Sequence, residues 1–306
     1  MKGGSRRAII AAFVANLGIA IAKVIGFAFT GAASMLAEAI HSFADTSNQG
    51  LLILGGRMAR KKSNREHPFG FGRERFFWAF IVAMIIFSMG SLFAMYEGLD
   101  KLANPHELED HIWAIGILLV AIVLESFSLR TAMVESRKVK GKKTWWRFIR
   151  HSKVPELPVV LLEDIGALVG LMMALIGVGL AMVTGDPVYD ALGSLSIGIL
   201  LGIIAIILAV EMRSLLLGEC ASDEVICKLE DAINSHPKVE KLIHMRTEHI
   251  GPEELLVAVK VELKRDLDTM GVSKAINSLE GAMRKSVNLK LTIYIEPDIF
   301  SDNTND

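Results

Sequence analysis

Apolar residues in this chain come in long runs broken by short charged segments, and that alternation stops near Gly218. Six runs, roughly residues 8–30, 32–56, 76–96, 111–133, 157–182 and 191–213, are long enough to cross about 30 Å of hydrocarbon as α-helices. Beyond them the punctuation is that of a small water-facing domain. Ser222-Asp223 caps a helix running through Ile233 to a stop near Pro237, and alternating stretches from Val239 to His249 and Leu255 to Leu263 flank Gly251-Pro252 as a hairpin. An amphipathic helix over about Val272 to Ser286 and a last strand over Leu289 to Ile295 complete the order αββαβ. The predicted fold is an α-helical membrane protein: six transmembrane helices in residues 1–217, then a small α+β open-faced sandwich in 218–306. So short a second domain has a marginal core, and dimerisation through it is expected.

Composition agrees, with 52% hydrophobic residues, and a net charge of only −1 conceals strong segregation. Basic residues cluster at the N-terminus (Lys2, Arg6, Arg7), after span two (Arg57 to Arg75) and after span four (Arg130 to Lys153). The alternate loops carry Glu97, Asp100, Glu107, Glu109 and Asp110, or Asp186 and Asp190. This bias places both termini in the cytoplasm and requires an even number of spans. The basic start followed by an apolar run resembles a signal peptide but is too long and leads straight into span two, so it reads as an uncleaved first helix. With no transit segment ahead of it, a bacterial inner membrane is the expected location. The basic clusters flank membrane spans, where orientation and anionic lipid account for them, so nucleic-acid binding is excluded. Cys220 and Cys227 lack zinc-finger spacing and read as free thiols.

Polar residues inside the runs carry the chemistry. His41 and Asp45 in span two lie four apart, stacked on one helix face about 6 Å apart along the axis, and imidazole with carboxylate is a ligand pair for zinc or a neighbouring transition metal. Burying such groups in a bilayer costs roughly 2.5–3.5 kcal/mol each, so they are candidates for function. Span five holds Glu163 and Asp164. Asp164 is the better placed to face His41 and Asp45, because adjacent helical residues diverge by about 100°. Glycines 166, 170 and 177 suit close approach of span five to a neighbouring helix. Glu38, one and two turns before the pair, is a candidate partner or proton relay. Asn16, Lys23 and Glu125 also fall within spans, Lys23 as a residue that snorkels to the interface. Trp145 and Trp146 beside Arg147 read as an interfacial anchor.

These residues together resemble the cation diffusion facilitators, a family of divalent-metal/proton antiporters. The likeness rests on His41-Ser42-x-x-Asp45 in span two, His67-Pro68-Phe69-Gly70-Phe71-Gly72-Arg73 after it, Asp164 in span five and the αββαβ tail. Leu162-Glu163-Asp164-x-x-Ala167-Leu168-x-Gly170, with Asn48-Gln49, is similar to the branch that includes mitochondrial zinc exporters. The resemblance implies four metal ligands, two each from spans two and five with a spacing of four. His41, Asp45 and Asp164 fit, while Val160 stands at the fourth position and cannot ligate. That position falls to Glu163, to the carbonyl oxygen of Asn48, or to water. Two further metal sites of the family are incomplete here. Glu66 and His67 precede Phe71 rather than a second histidine, leaving His67 a loop residue near the cytoplasmic mouth. In the tail His244 and Glu296 match, but Lys260 and Tyr294 replace histidines. The resemblance also pairs Arg73 with Glu219 across the membrane and cytoplasmic regions.

The implied function is export of a divalent cation as transported substrate, zinc first, in exchange for protons, with no prosthetic group. Metal and protons compete for the same atoms, and His41 is the natural proton carrier. The nearest rival is a manganese, iron or cobalt exporter of the same fold, favoured by an oxygen-rich site. An intramembrane metallohydrolase could use the same ligands, but the chain contains neither His-Glu-x-x-His nor a Gly-x-Ser-x-Gly turn. An enzyme is therefore not expected.

Overall fold

The computed structural model describes residues 33–104 and 111–300, with side chains for 42–104 and 115–300, and residues 9, 10, 13, 14, 16–21, 24, 25 and 28. It divides into two units, residues 1–61 with 74–213 and residues 62–73 with 214–306. The first holds α1 (Ala33–Met58), α2 (Glu74–Ile85), a π-helical segment (Ile86–Leu92), α3 (Phe93–Ala103), α4 (His111–Lys140), α5 (Trp145–His151), α6 (Glu156–Thr184) and α7 (Val188–Leu217). Among the described residues four helices are long and apolar enough to span a membrane: Glu74–Ala103, Ile115–Lys140, Glu156–Thr184 and Val188–Leu217. They coincide with the third to sixth apolar runs of the sequence. The second run is the helix α1. The first, with Lys23, falls largely outside the described residues, as do Glu107, Glu109 and Asp110.

Small residues set how closely these helices approach, as expected where lipid removes the hydrophobic drive between them. A Cβ on Gly166 or Gly177 of α6 would stand 2.7 Å from Ile204 Cδ1 or 3.0 Å from the Tyr189 carbonyl, so the neighbour those glycines serve is α7. Gly98, Gly198 and Gly202 bring α7 equally close to α3 and the π-helical segment. There Ser91 Oγ donates to the Gly198 carbonyl at 2.8 Å. The buried stripe of α4 is Leu118, Ala121, Ser128, Ala132, Glu135 and Ser136, spaced so that its members recur on one helix face. Its long partner is α6. Thr144 caps the short α5, whose Trp146 is exposed.

The second unit contains α8 (Asp223–Asn234), β1 (Val239–Gly251), β2 (Glu254–Leu263), α9 (Thr269–Ser286) and β3 (Lys290–Pro297). The sheet order is β1-β2-β3, with β1 antiparallel and β3 parallel to β2. Strict alternation along β2 buries Leu255, Val257, Val259, Val261 and Leu263 beneath Leu229 and Ile233 of α8 and Leu279 and Met283 of α9. The Asp268 carboxylate accepts from the Gly271 amide at 2.7 Å and starts α9. Cys220 and Cys227 are exposed free thiols.

The segment 62–73 packs within this second unit. Gly72 lies against β1 so closely that a Cβ there would be 2.5 Å from the Ile250 carbonyl. Arg73 donates to Glu248, while the Glu219 carbonyl accepts the His249 amide at 2.8 Å. His67 stacks its ring on Phe71 with centroids 4.5 Å apart.

Candidate metal centre

Two adjacent carboxylates on α6 are turned toward different helices. Glu163 accepts from Asn48 Nδ2 of α1 at 3.0 Å and from Gln49 Nε2 at 3.4 Å. Asp164, only 2% exposed, accepts from Ser128 Oγ of α4 at 3.0 Å. The step of about 100° between neighbouring helical residues makes this divergence unavoidable once both are buried. The Gln49 carboxamide oxygen in turn accepts from Asn16 at 3.3 Å, so one polar chain links Asn16, Gln49, Glu163 and Asn48.

Asp45 sits three residues before Asn48 on α1, and its charge bears on both Glu163 and Asp164. The charge of Glu125 of α4 also bears on both. Helices α1, α4 and α6 thus bring Asp45, Glu125, Glu163 and Asp164 into one electrostatic neighbourhood. Val160, one turn before Asp164, is buried and apolar. Among the described residues no three His, Cys, Asp or Glu side chains are already gathered as a metal cage. The side chains of His41 and Glu38 lie outside the described residues, although both positions fall within α1.

Carboxylate oxygens suit zinc and its divalent neighbours as ligands. Sequence reasoning gave no role to Gln49, Ser128 or Glu125. Ser128 and Glu125 were detectable as a three-residue pair on one face of an apolar helix. Gln49 as a donor to Glu163 had no such signal, because its effect depends on how α1 is rotated.

In the small domain His244 stands opposite Lys260 in the strand register. Lys260 Nζ lies 3.1 Å from Asp298 and 3.4 Å from Glu296. Hydrogen bonding to Asp298, then to Glu296, holds the Lys260 pKa above its ordinary value. The Ile299 amide and Lys260 hold that of Asp298 below its own. An ammonium group therefore occupies the carboxylates that a cation would need.

Residues 9–217 match the family model of the cation efflux transmembrane domain. Similar proteins include the mitochondrial proton-coupled zinc antiporter SLC30A9 of Mus musculus, 33% identical over 89% of this chain and 47% of its own length. Metal tolerance protein C4 of Arabidopsis thaliana is 30% identical over 81% of this chain and 55% of its own. The cation-efflux pump FieF of Citrobacter koseri is 26% identical over 96% and 92%. The chain spans about half the length of the mitochondrial antiporters it matches.

Proposed function

The chain belongs to the cation efflux family, and on that premise we propose that it is a secondary transporter exporting a divalent metal cation, zinc first, in exchange for protons. The observation that carries the reading is a carboxylate, Asp164, buried inside an apolar helix and bonded to a second span, with Asp45 and Glu163 beside it. Such a group inside a bilayer has a binding or relay role by default.

His41, Asp45 and Asp164 would ligate the ion, and Glu163 would be aimed by the amides of Asn48 and Gln49. Protonation of the same atoms expels the metal, so a site opening to alternate sides exchanges one for the other. His41, whose ordinary pKa lies near neutrality, carries a proton on the return. The first apolar run and α1 bring the spans to six, with both termini on the basic side, which in a bacterium is the cytoplasmic face of the inner membrane. Residues 1–217 form the transport domain and 218–306 a cytoplasmic domain that pairs two copies. Arg73 and Glu219 help to keep the 62–73 segment on that domain, and His67 remains a loop residue. No step in this cycle is an enzymatic reaction.

Val160 favours a second reading within the same fold, a manganese, iron or cobalt exporter, because a site short of one strong ligand is less selective for zinc. Purified protein in proteoliposomes, given a zinc or a manganese gradient, tests both. Zinc-driven proton movement that disappears in Asp45→Ala is expected. Movement with manganese alone keeps the transporter and replaces the substrate, and no movement with either overturns the reading.

A further inference from the structure

Between the last turn of α4 and the first turn of α6 the chain is cationic without interruption. Residues 136–155 contain Arg137, Lys138, Lys140, Lys142, Lys143, Arg147, Arg150 and Lys153 and no Asp or Glu. The basic segment from Arg57 to Arg75 is different: Glu66 and Glu74 interrupt it, Arg73 donates to Glu248, and Arg75 pairs with Glu156. In 136–155, Lys138 and Arg150 find carboxylates in Glu135 and Glu211. Among the described residues no ion pair engages Arg137, Lys142, Lys143 or Arg147.

Two spanning helices fix the depth of this charge. One apolar span ends at Lys140 and the next starts at Glu156, so the residues between them lie at the edge of the hydrocarbon, on one side of the membrane. Gly141, at φ +58°, turns the chain directly after α4. Phe148 is 2% exposed and packs with Leu157 of α6, which holds α5 against the start of that helix. Trp146 and Arg147 are about 200° around α5 from the buried Phe148 and Ile149 respectively, and both are exposed, Trp146 to 58%.

An exposed indole beside cations that no carboxylate neutralises is the chemistry of the headgroup layer. Tryptophan settles where apolar and aqueous phases meet. Lysines and arginines immediately beside a span gain about fivefold in affinity per charge from an anionic lipid surface. Lys140 takes no part in this: its ammonium lies 5.2 Å from the centroid of the Trp145 ring and props the turn from inside.

We propose that α5 and the turn before it form a docking surface for anionic phospholipid of the bilayer that the chain spans. Lys142, Lys143 and Arg147 meet the phosphate oxygens, and Trp146 meets the glycerol and the upper acyl chain. The Arg147 guanidinium offers two parallel donors to a phosphodiester, and the lysines act as point charges. Arg150 Nε, 3.4 Å from Glu211 of α7, ties the same short helix to the last span. The surface requires only that the chain spans a membrane, and would serve a transporter of any cation.

Full-length protein in a neutral detergent, titrated with dioctanoyl phosphatidylglycerol or dioctanoyl phosphatidylcholine and followed by thermophoresis, tests this. Phosphatidylglycerol should bind at least about tenfold more tightly than phosphatidylcholine. The triple change Lys142→Gln, Lys143→Gln, Arg147→Gln should weaken phosphatidylglycerol binding by at least about tenfold, and Lys142→Arg with Lys143→Arg should keep it. Lys61→Gln, Lys62→Gln, Arg65→Gln removes the same net charge from the other basic segment and should stay within about twofold of wild type, since screened charges act locally. Unchanged binding in the first triple variant, or an equal loss in the second, overturns the proposal. Equal affinity for the two lipids overturns it too. So does displacement of phosphatidylglycerol by millimolar inorganic phosphate beyond the effect of matched ionic strength, which would make the surface a soluble-anion site.

Discussion

The Arg75 guanidinium at the start of α2 grips both oxygens of the Glu156 carboxylate at the start of α6, with the Nη2 to Oε2 arm at 2.7 Å. Both side chains are buried, Glu156 to 1% exposure. The pair ties the helix that follows the 62–73 segment to the helix that carries Asp164. A buried charge deprived of its partner is expensive, so Arg75→Ala should destabilise the protein by about 3–5 kcal/mol. Arg75→Lys should recover little, since an ammonium cannot reproduce the two-armed geometry. The double reversal Arg75→Glu with Glu156→Arg should recover more than either single change. Denaturant unfolding in detergent measures all of these, and a wild-type midpoint in Arg75→Ala would show that the pair contributes nothing.

Asn48 and Glu163 should behave as a unit. Removing the amide in Asn48→Ala takes a donor from a buried carboxylate that is expected to act on the ion or its ligands. Zinc affinity should fall about 10- to 100-fold, the usual range for partners that orient a metal site. Glu163→Gln should lose affinity as well, and the two changes together should cost less than their sum, with a coupling of about 0.5–3 kcal/mol. Calorimetric titration of zinc into the four proteins of the cycle gives that coupling directly. Strict additivity would mean that the 3.0 Å contact has no part in binding.

Much of this architecture was readable from the chain, and the failures share one cause. The ends of the apolar runs were legible because charges bound them, as Glu156 and Asp186 do for the run that forms α6. The tail was legible because β2 alternates strictly and Ser222 stands just ahead of α8, although α9 begins at Thr269, three residues before the expected Val272. What a helix faces was not legible inside the membrane. A helix that is apolar nearly all round carries almost no signal of its rotation, so the partners of Glu163 and Asp164 could not be assigned. The divergence of the two followed from their adjacency, but that Asn48 and Gln49 meet one and Ser128 the other did not. The π-helical turn from Ile86 to Leu92 was likewise silent, since an uninterrupted apolar run hides a change of period.

Gly72 tests how firmly the 62–73 segment is held on β1. An alanine there would place its Cβ 2.5 Å from the Ile250 carbonyl, a backbone atom that cannot step aside cheaply. The segment should lift away, although Arg73 and Glu248 keep their charges. Trypsin should then cut after Arg65 several-fold faster in Gly72→Ala than in wild type. Arg73→Ala should do much less, because both partners are partly exposed and such pairs contribute about 0–1 kcal/mol. Equal cleavage rates for Gly72→Ala and wild type would show that the close approach does not hold the segment.

His236 should make the small domain sensitive to mild acid. It is buried beside α9, its Nδ1 accepting the Lys238 amide at 3.4 Å and its Nε2 lying 3.1 Å from Ser278 Oγ, an arrangement suited to the neutral ring. Burial holds its pKa below the ordinary imidazole value. The unfolded chain therefore binds a proton more readily than the folded one does. The stabilisation is complete above the unfolded pKa, about 6.5, and is lost as pH falls through the folded value. Hydrogen exchange of residues 223–238 in the full chain, corrected for intrinsic rates, should show protection falling as pH drops below about 6.5. In His236→Gln, where no ring titrates, that step should be absent at the same pH. A step of equal size in both proteins would assign the acid sensitivity to other groups, the carboxylates around Lys260 being the next to examine.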